Sequence, residues 1–222
     1  MQKEEWMTGI LSEVQFWSSW VRERGGLWPR DFLDRLDPDL PLRGTLHDLV
    51  SSCDGTDITI LDCGAGPLTI LGKKHTNKRI KITAIDALAD EYHKFNYPSP
   101  PPILTELCET EHILDSFAKN SFDITYARNT LDHSYDPIRC IMNMIEVTRP
   151  GGYIYIQHSA NEAEHEKYNG MHQWNFCIEN SSLYFWNKRA RVNIFDLIRG
   201  LVCVEEISEN GSIHVDVIFR KL

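Results

Sequence analysis

Strand-like alternation and helix-like spacing take turns along this chain. The sharpest alternating run, Ile58-Thr59-Ile60-Leu61, ends at Asp62 and breaks into Cys63-Gly64-Ala65-Gly66-Pro67. It predicts a strand, a glycine turn and a helix from Leu68 to Lys74, a unit that offers backbone N–H groups and a helix N-terminus to a ligand. Upstream, Trp6, Ile10, Leu11, Val14, Trp17 and Val21 fall close to helical spacing. They predict an amphipathic helix over Glu4 to Arg24, stopped by Gly25-Gly26. Residues 28–41, rich in Pro, Asp and Arg, predict turns and a short helix. A further helix over Leu42 to Cys53 meets the turn signal Asp54-Gly55.

Downstream, Ile80 to Asp86 reads as a second strand that again ends in an acid. A helical piece from Leu88 to about Phe95 follows, broken by Pro98 to Pro102. Ile103 to Leu107 and Phe122 to Ala127 are the third and fourth strands. Asp136-Pro137 opens a helix carrying Ile138, Ile141, Met142, Ile145 and Val147, with proline in its first turn. Pro150-Gly151-Gly152 stops it before a fifth strand, Tyr153 to Gln157. Beyond a polar excursion over 159–186, Asn187 to Arg199 is helical. Leu201 to Ile207 and Ser212 to Arg220 then flank Asn210-Gly211, a tight-hairpin signal. Repeated βα units predict an α/β, Rossmann-like, doubly wound sheet, mostly parallel. A hairpin makes its two strands antiparallel, so the C-terminal strand runs against the rest. The expected organisation is an N-terminal helical arm or lid over residues 1–53 and a ligand-binding domain over 54–222, with an acceptor-binding insertion at about 159–186.

Composition narrows the class. With 222 residues, 42% apolar and 25% charged, the chain fits one ordinary soluble domain with an appended arm. A net charge of -9 argues against a nucleic-acid partner. The six cysteines are scattered without a C-x-x-C pair and read as small buried hydrophobes in a reducing compartment. No apolar run is long enough for a signal peptide or a membrane span, so a cytoplasmic protein with no membrane partner is expected.

The glycine turn limits the ligand. A dinucleotide would want G-x-G-x-x-G, but the third glycine position here is Thr69. Asp62, immediately before the turn, would repel a pyrophosphate and suits a cationic group such as an amino-acid amine. Asp86 closes the second strand, where an acid binds ribose hydroxyls.

At these residues the chain resembles the class I S-adenosylmethionine-dependent methyltransferases. Leu61-Asp62-Cys63-Gly64-Ala65-Gly66 is similar to their first motif, Asp/Glu-x-Gly-x-Gly-x-Gly, with Leu68 in place of the last glycine. The resemblance implies that Asp62, Gly64, Ala65 and Gly66 hold S-adenosylmethionine, that Asp86 takes the ribose hydroxyls, and that Ala87 and Leu88 line the adenosine. Glu109-Thr110 resembles the Asp-Ala pair beside the adenine, whose carboxylate takes the exocyclic amine, with Glu for Asp. Ser121 to Ile124 and Arg128-Asn129-Thr130-Leu131-Asp132-His133 resemble the fourth strand and following loop, which adds Asn129 to the cofactor contacts. Arg149-Pro150-Gly151-Gly152 resembles the turn before the fifth strand. The likeness spans about Ile58 to Gln157 and implies a seven-stranded sheet, with S-adenosylhomocysteine as product.

Methyl transfer from a sulfonium needs alignment, and a hydroxyl acceptor also needs a base, for which histidine is suited. His133 after the fourth strand, His158 at the end of the fifth and His172 in the excursion are the candidates. Tyr168 to Phe176 mixes His, Gln, Trp and Asn, so Gln173, Trp174 and Asn175, with Trp17 from the arm, are expected to bind a small polar acceptor such as a saccharide. His158, Glu162, His165 and His172 match no tight ligand motif, and no metal is expected. The competing readings are an NAD-dependent oxidoreductase on the same sheet and a catalytically silent interaction module. The tryptophan-rich arm closes over its own cleft or packs on a second copy as a homodimer, and periodicity leaves both open.

Overall fold

The computed structural model describes residues 3–210 and 214–222. Three helices open the chain: α1 (Lys3–Arg22), α2 (Pro29–Leu36) and α3 (Gly44–Ser52). There follow β1 (Asp57–Cys63), β2 (Arg79–Asp86), α4 (Ala89–Tyr92), β3 (Glu106–Leu107), α5 (Ile113–Ser116) and β4 (Phe122–Arg128). Next are α6 (Pro137–Val147), β5 (Thr148–Ser159), α7 (Glu162–His165), β6 (Asn175–Glu179), β7 (Ser182–Trp186) and β8 (Arg191–Asn193). The chain ends with α8 (Ile194–Leu197), β9 (Val202–Asn210) and β10 (His214–Lys221).

The main sheet has seven strands in the order β3-β2-β1-β4-β5-β10-β9. β1 pairs in parallel with β2 and β4, and β4 with β5. β10 is antiparallel to both its neighbours, so it alone reverses direction. This is the expected Rossmann-like sheet with its reversed C-terminal strand. The hairpin signal at Asn210-Gly211 falls partly on residues 211–213, outside the described residues. One face of the sheet carries Leu61, Ile85, Ala127 and Ile156 against α6, whose Ile141, Met144 and Ile145 are buried. Asp136 caps that helix by accepting from the Arg139 amide at 3.0 Å. The other face buries Ile58, Ile60, Ile124 and Tyr155 against Leu46, Leu49 and Val50 of α3.

Two expectations fail here, each because the backbone finds other partners. No helix follows the glycine turn. Lys73 donates to the Leu40 carbonyl and Leu42 to the Lys74 carbonyl, both at 2.7 Å, so residues 71–74 run beside 40–42 as extended chain. Where a crossover helix was expected, a cavity of about 370 Å³ lies between α3 and the sheet, lined by Tyr126, Arg128, Tyr155 and Gln157.

The helix expected over Asn187 to Arg199 is likewise mostly absent. The Asn187 side chain accepts from the Arg189 and Ala190 amides, which turns the chain back so that Arg191 pairs with Trp186. Only α8 remains, capped by Asn193.

The excursion over 159–186 is therefore a folded unit. β6, β7 and β8 form a second, three-stranded antiparallel sheet. Asn180 and Ser181, both with positive φ, make the two-residue turn between β6 and β7. All six cysteines are free thiols, four of them buried and Cys203 exposed. Among the described residues no helix is long and apolar enough to cross a membrane.

Candidate functional site

The glycine turn folds onto the end of β2. Gly64 and Ala65 both donate to the Ile85 carbonyl, at 2.8 and 3.0 Å, and Gly66 donates to Asp86 Oδ2 at 3.0 Å. The turn's amides are thus spent within the protein, and no helix N-terminus stands behind them. Asp62 is buried and accepts from the Thr69 hydroxyl at 2.5 Å. Burial, opposed by that bond and by Arg35, pushes its carboxyl up to about 6. Thr69, read in the sequence only as a missing glycine, is thus the partner that holds Asp62. Asp86 also receives the Leu88 amide, at 2.8 Å. Burial pushes it up to about 6 against those two amide bonds.

A cleft of about 50 Å³ opens between this turn, α4 and α1. Gly64, Asp86, Ala87, Leu88, Thr110 and His133 line it, as does Glu13 of α1. Glu109 at its rim takes Lys3 at 2.7 Å and the Tyr135 hydroxyl at 2.7 Å. Burial raises the Glu109 carboxyl, but those two partners outweigh it and hold the group low. α1 closes the roof. Trp6 Nε1 donates to the His133 carbonyl at 2.7 Å, and Trp17, whose Nε1 donates to Glu13 at 2.7 Å, lies over Gly66.

Beside the cleft, segments far apart in sequence meet. Asp132 is buried, and its Oδ2 lies 2.7 Å from His172 Nδ1 and 3.4 Å from His133 Nε2. The two imidazole nitrogens are 3.1 Å apart. Burial lowers the His172 imidazole, but the Asp132 bond and charge outweigh it and raise the group above its ordinary value. Burial works upward on Asp132 and is overcome by the surrounding imidazoles, which hold it well below the carboxylate range.

Five residues expected at the site need correction. His158 is fully buried, and its Nε2 accepts from the Thr130 and Leu131 amides at 3.1 Å each. Burial pushes it down to about 4, so it is a neutral brace for the loop and no base in the cleft. Asn129 points away, its Oδ1 accepting from the Ser159 amide at 2.8 Å. Trp174 is packed in the main core. Gln173 and Asn175 spend their amides inside the excursion. Gln173 donates to the Tyr168 and Gly170 carbonyls, while Asn175 bonds the Tyr168 hydroxyl and the Glu164 amide, all at 3.0 Å. The polar-aromatic mixture that suggested a sugar-stacking face is the scaffold that presents His172.

Asp132 belongs to none of the expected site residues, although its buried carboxylate holds the cluster together. Its signal was present, since it stands beside His133 at the carboxyl end of a parallel strand. The other partner lies forty positions on, and spacing alone carries no sign of it.

The residues present fit S-adenosylmethionine in chemistry, with an acid for the ribose at the end of β2 and glycines with φ of +68° and +65° at 64 and 66. They fit it in volume only if α1 moves, because sites for such ligands span roughly 300–1,000 Å³.

Residues 103–196 match the family described as a methyltransferase domain. No curated protein matches the chain. Among solved structures, the chain is similar to 1,6-didemethyltoxoflavin-N1-methyltransferase of Burkholderia thailandensis, with S-adenosylhomocysteine bound. The TM-score is 0.54 at 13% identity, over 100% of this chain and 91% of that one. It is also similar to a Haloferax volcanii protein proposed to be a methyltransferase, in complex with the activator Trm112. There the TM-score is 0.55 at 12% identity, over 90% and 96% of the two chains. A Methanococcus maripaludis protein proposed to be an S-adenosylmethionine-dependent methyltransferase gives a TM-score of 0.53 at 15% identity, over 92% and 93%. With the strand order, the reversed β10, the glycine turn and Asp86 already in place, this chain has the fold of the class I S-adenosylmethionine-dependent methyltransferases.

Proposed function

We propose that the chain transfers the methyl group of S-adenosylmethionine to a hydroxyl of a small polar acceptor, such as a saccharide or related metabolite. The observation that carries the oxygen chemistry is the meeting of Asp132 and His172 with His133, which lines the cleft that holds Gly64 and Asp86. As the acceptor oxygen bonds the methyl carbon, the carbon–sulfur bond breaks and S-adenosylhomocysteine leaves. The hydroxyl proton has to go to a base, and the two imidazoles at the wall supply one. Polar groups around them, Glu13, Thr130 and Ser134, support a polyhydroxylated acceptor. Asp86 takes the ribose, Leu88 and Thr110 flank the adenine, and α1, alone of the arm, acts as the lid.

The test is calorimetric titration with S-adenosylmethionine and NAD, then transfer of labelled methyl to a panel of sugars and other alcohols. Wild type and His172→Ala should bind S-adenosylmethionine alike, with turnover lower by roughly 10²–10⁴-fold in the variant. Binding of NAD instead, or full turnover in His172→Ala, sinks the reading. One observation favours a silent module as the second reading, namely the small closed cleft. Cofactor binding without transfer to any hydroxyl would select it.

A further inference from the structure

We infer that Asp132, His133 and His172 form a binding site for a divalent transition-metal ion on the wall of the cleft. Three ligand atoms, Asp132 Oδ2, His133 Nε2 and His172 Nδ1, form a triangle with edges of 2.7, 3.1 and 3.4 Å. An ion at about 2.1 Å from each atom, the usual zinc–imidazole or zinc–carboxylate length, subtends those edges at angles of about 80–110°, so no atom need move. Two imidazoles with one carboxylate are a donor set for zinc, iron(II), manganese or cobalt, with positions left open for a further ligand.

Protons satisfy this triangle only in part. If His172 Nδ1–H donates to Asp132, His133 Nε2 either shares that proton at 3.1 Å or sets a second N–H beside it toward the carboxylate at 3.4 Å. A single cation satisfies all three edges at once. Asp132 is 1% exposed, and its Oδ1 has no hydrogen-bond donor, so this buried carboxylate is partnered by protein donors on one oxygen only.

The surroundings hold the ligands in place. The Gln173 amide donates to the Asp132 carbonyl at 3.0 Å and joins the two ligand-bearing segments. His158 braces the amides just before Asp132. Glu13 Oε1, which accepts from the Trp17 indole, stands 3.8 Å from His133 Nδ1 on the side away from the triangle and adds a negative charge there without a hydrogen bond. His133 lines the cleft, so one ligand of the site borders the space proposed for the substrate. A bound ion would occupy the two imidazole lone pairs and stand in for the histidine base by making a ligated hydroxyl more acidic, which deepens the hydroxyl-methylation reading, while the site itself does not depend on that reading.

The experiment is titration of chelator-treated protein with Zn²⁺ by calorimetry, repeated with Co²⁺ by visible absorption, both without S-adenosylmethionine. One equivalent should bind, with cobalt bands from nitrogen and oxygen ligands and no thiolate charge-transfer band. His133→Ala and His172→Ala should each weaken binding at least about tenfold, while His165→Ala, an exposed neighbour, should not. The two histidine variants carry the test because Asp132→Asn risks the fold. No saturable binding, affinity untouched by both histidine variants, or a thiolate signature removed by Cys203→Ser each overturns the site. Because cofactor is absent, a failed metal titration leaves methyl transfer standing, and failed methyl transfer leaves the metal result standing.

Discussion

The Thr130 hydroxyl lies so close to Gly64 that a Cβ built on the glycine would come within 1.8 Å of Oγ1. The turn after β1 and the loop after β4 therefore touch across the floor of the cleft, and only glycine permits it. Gly64 also has a φ of +68°. Gly64→Ala should cost about 2–4 kcal/mol, from the clash and the left-handed backbone together. Adding Thr130→Gly should recover the clash part and leave the backbone part. Chemical denaturation of the three variants reads both, and an undiminished midpoint in Gly64→Ala would show that the two loops are apart in solution.

With Asp86 on the ribose, as proposed, its carboxyl sets a pH limit on cofactor binding. Its carboxyl sits at about 6, so below that pH the free protein holds a proton there. Ribose hydroxyls donate to the ionised form, so affinity for S-adenosylmethionine should fall by about tenfold per pH unit below 6 and level off above it. Glu13 of α1, Tyr92 of α4 and His133 also act on this carboxyl. Calorimetry from pH 5 to 8 measures the slope, and Asp86→Asn should flatten it.

Trp6 tethers the lid. Its Nε1–H to the His133 carbonyl is a 2.7 Å bond at a buried ring. Trp6→Phe keeps much of the ring and removes the donor, a loss of about 1 kcal/mol. If α1 must lift for the cofactor to enter, association should speed up by about fivefold. Stopped-flow tryptophan fluorescence measures this, and an unchanged rate would mean that the cofactor enters without moving α1.

His158 should matter to stability more than to chemistry. Replacing it with Phe keeps the stacking on Phe176 and leaves the Thr130 and Leu131 amides without an acceptor. A loss of about 2–5 kcal/mol is expected by thermal or urea unfolding. A variant as stable as wild type but inactive would return His158 to the catalytic set.

The sequence by itself determined the sheet. Period-two runs with acids at their ends, such as Ile58 to Asp62 and Ile80 to Asp86, name β1 and β2, and Asp136-Pro137 names the start of α6. These signals are local, since a strand must alternate and a helix must be capped wherever it lies. Asn180-Ser181 between Phe176/Ile178 and Leu183/Phe185 was an equally local hairpin signal that the polar look of the excursion concealed.

Tertiary structure decided the rest. The helix after Gly66 is lost because Lys73 and Lys74 find backbone partners at Leu40 and Leu42, thirty positions back, which no local propensity encodes. Trp174 and Asn175 went to core and scaffold because burial is set by what packs above a strand, and the sequence alone does not show which face that is. The Asp132–His133–His172 triangle exists because β4 and the loop before β6 end at the same place in space. Proximity of that kind depends on the closed chain, because only tertiary packing brings segments forty positions apart to one point.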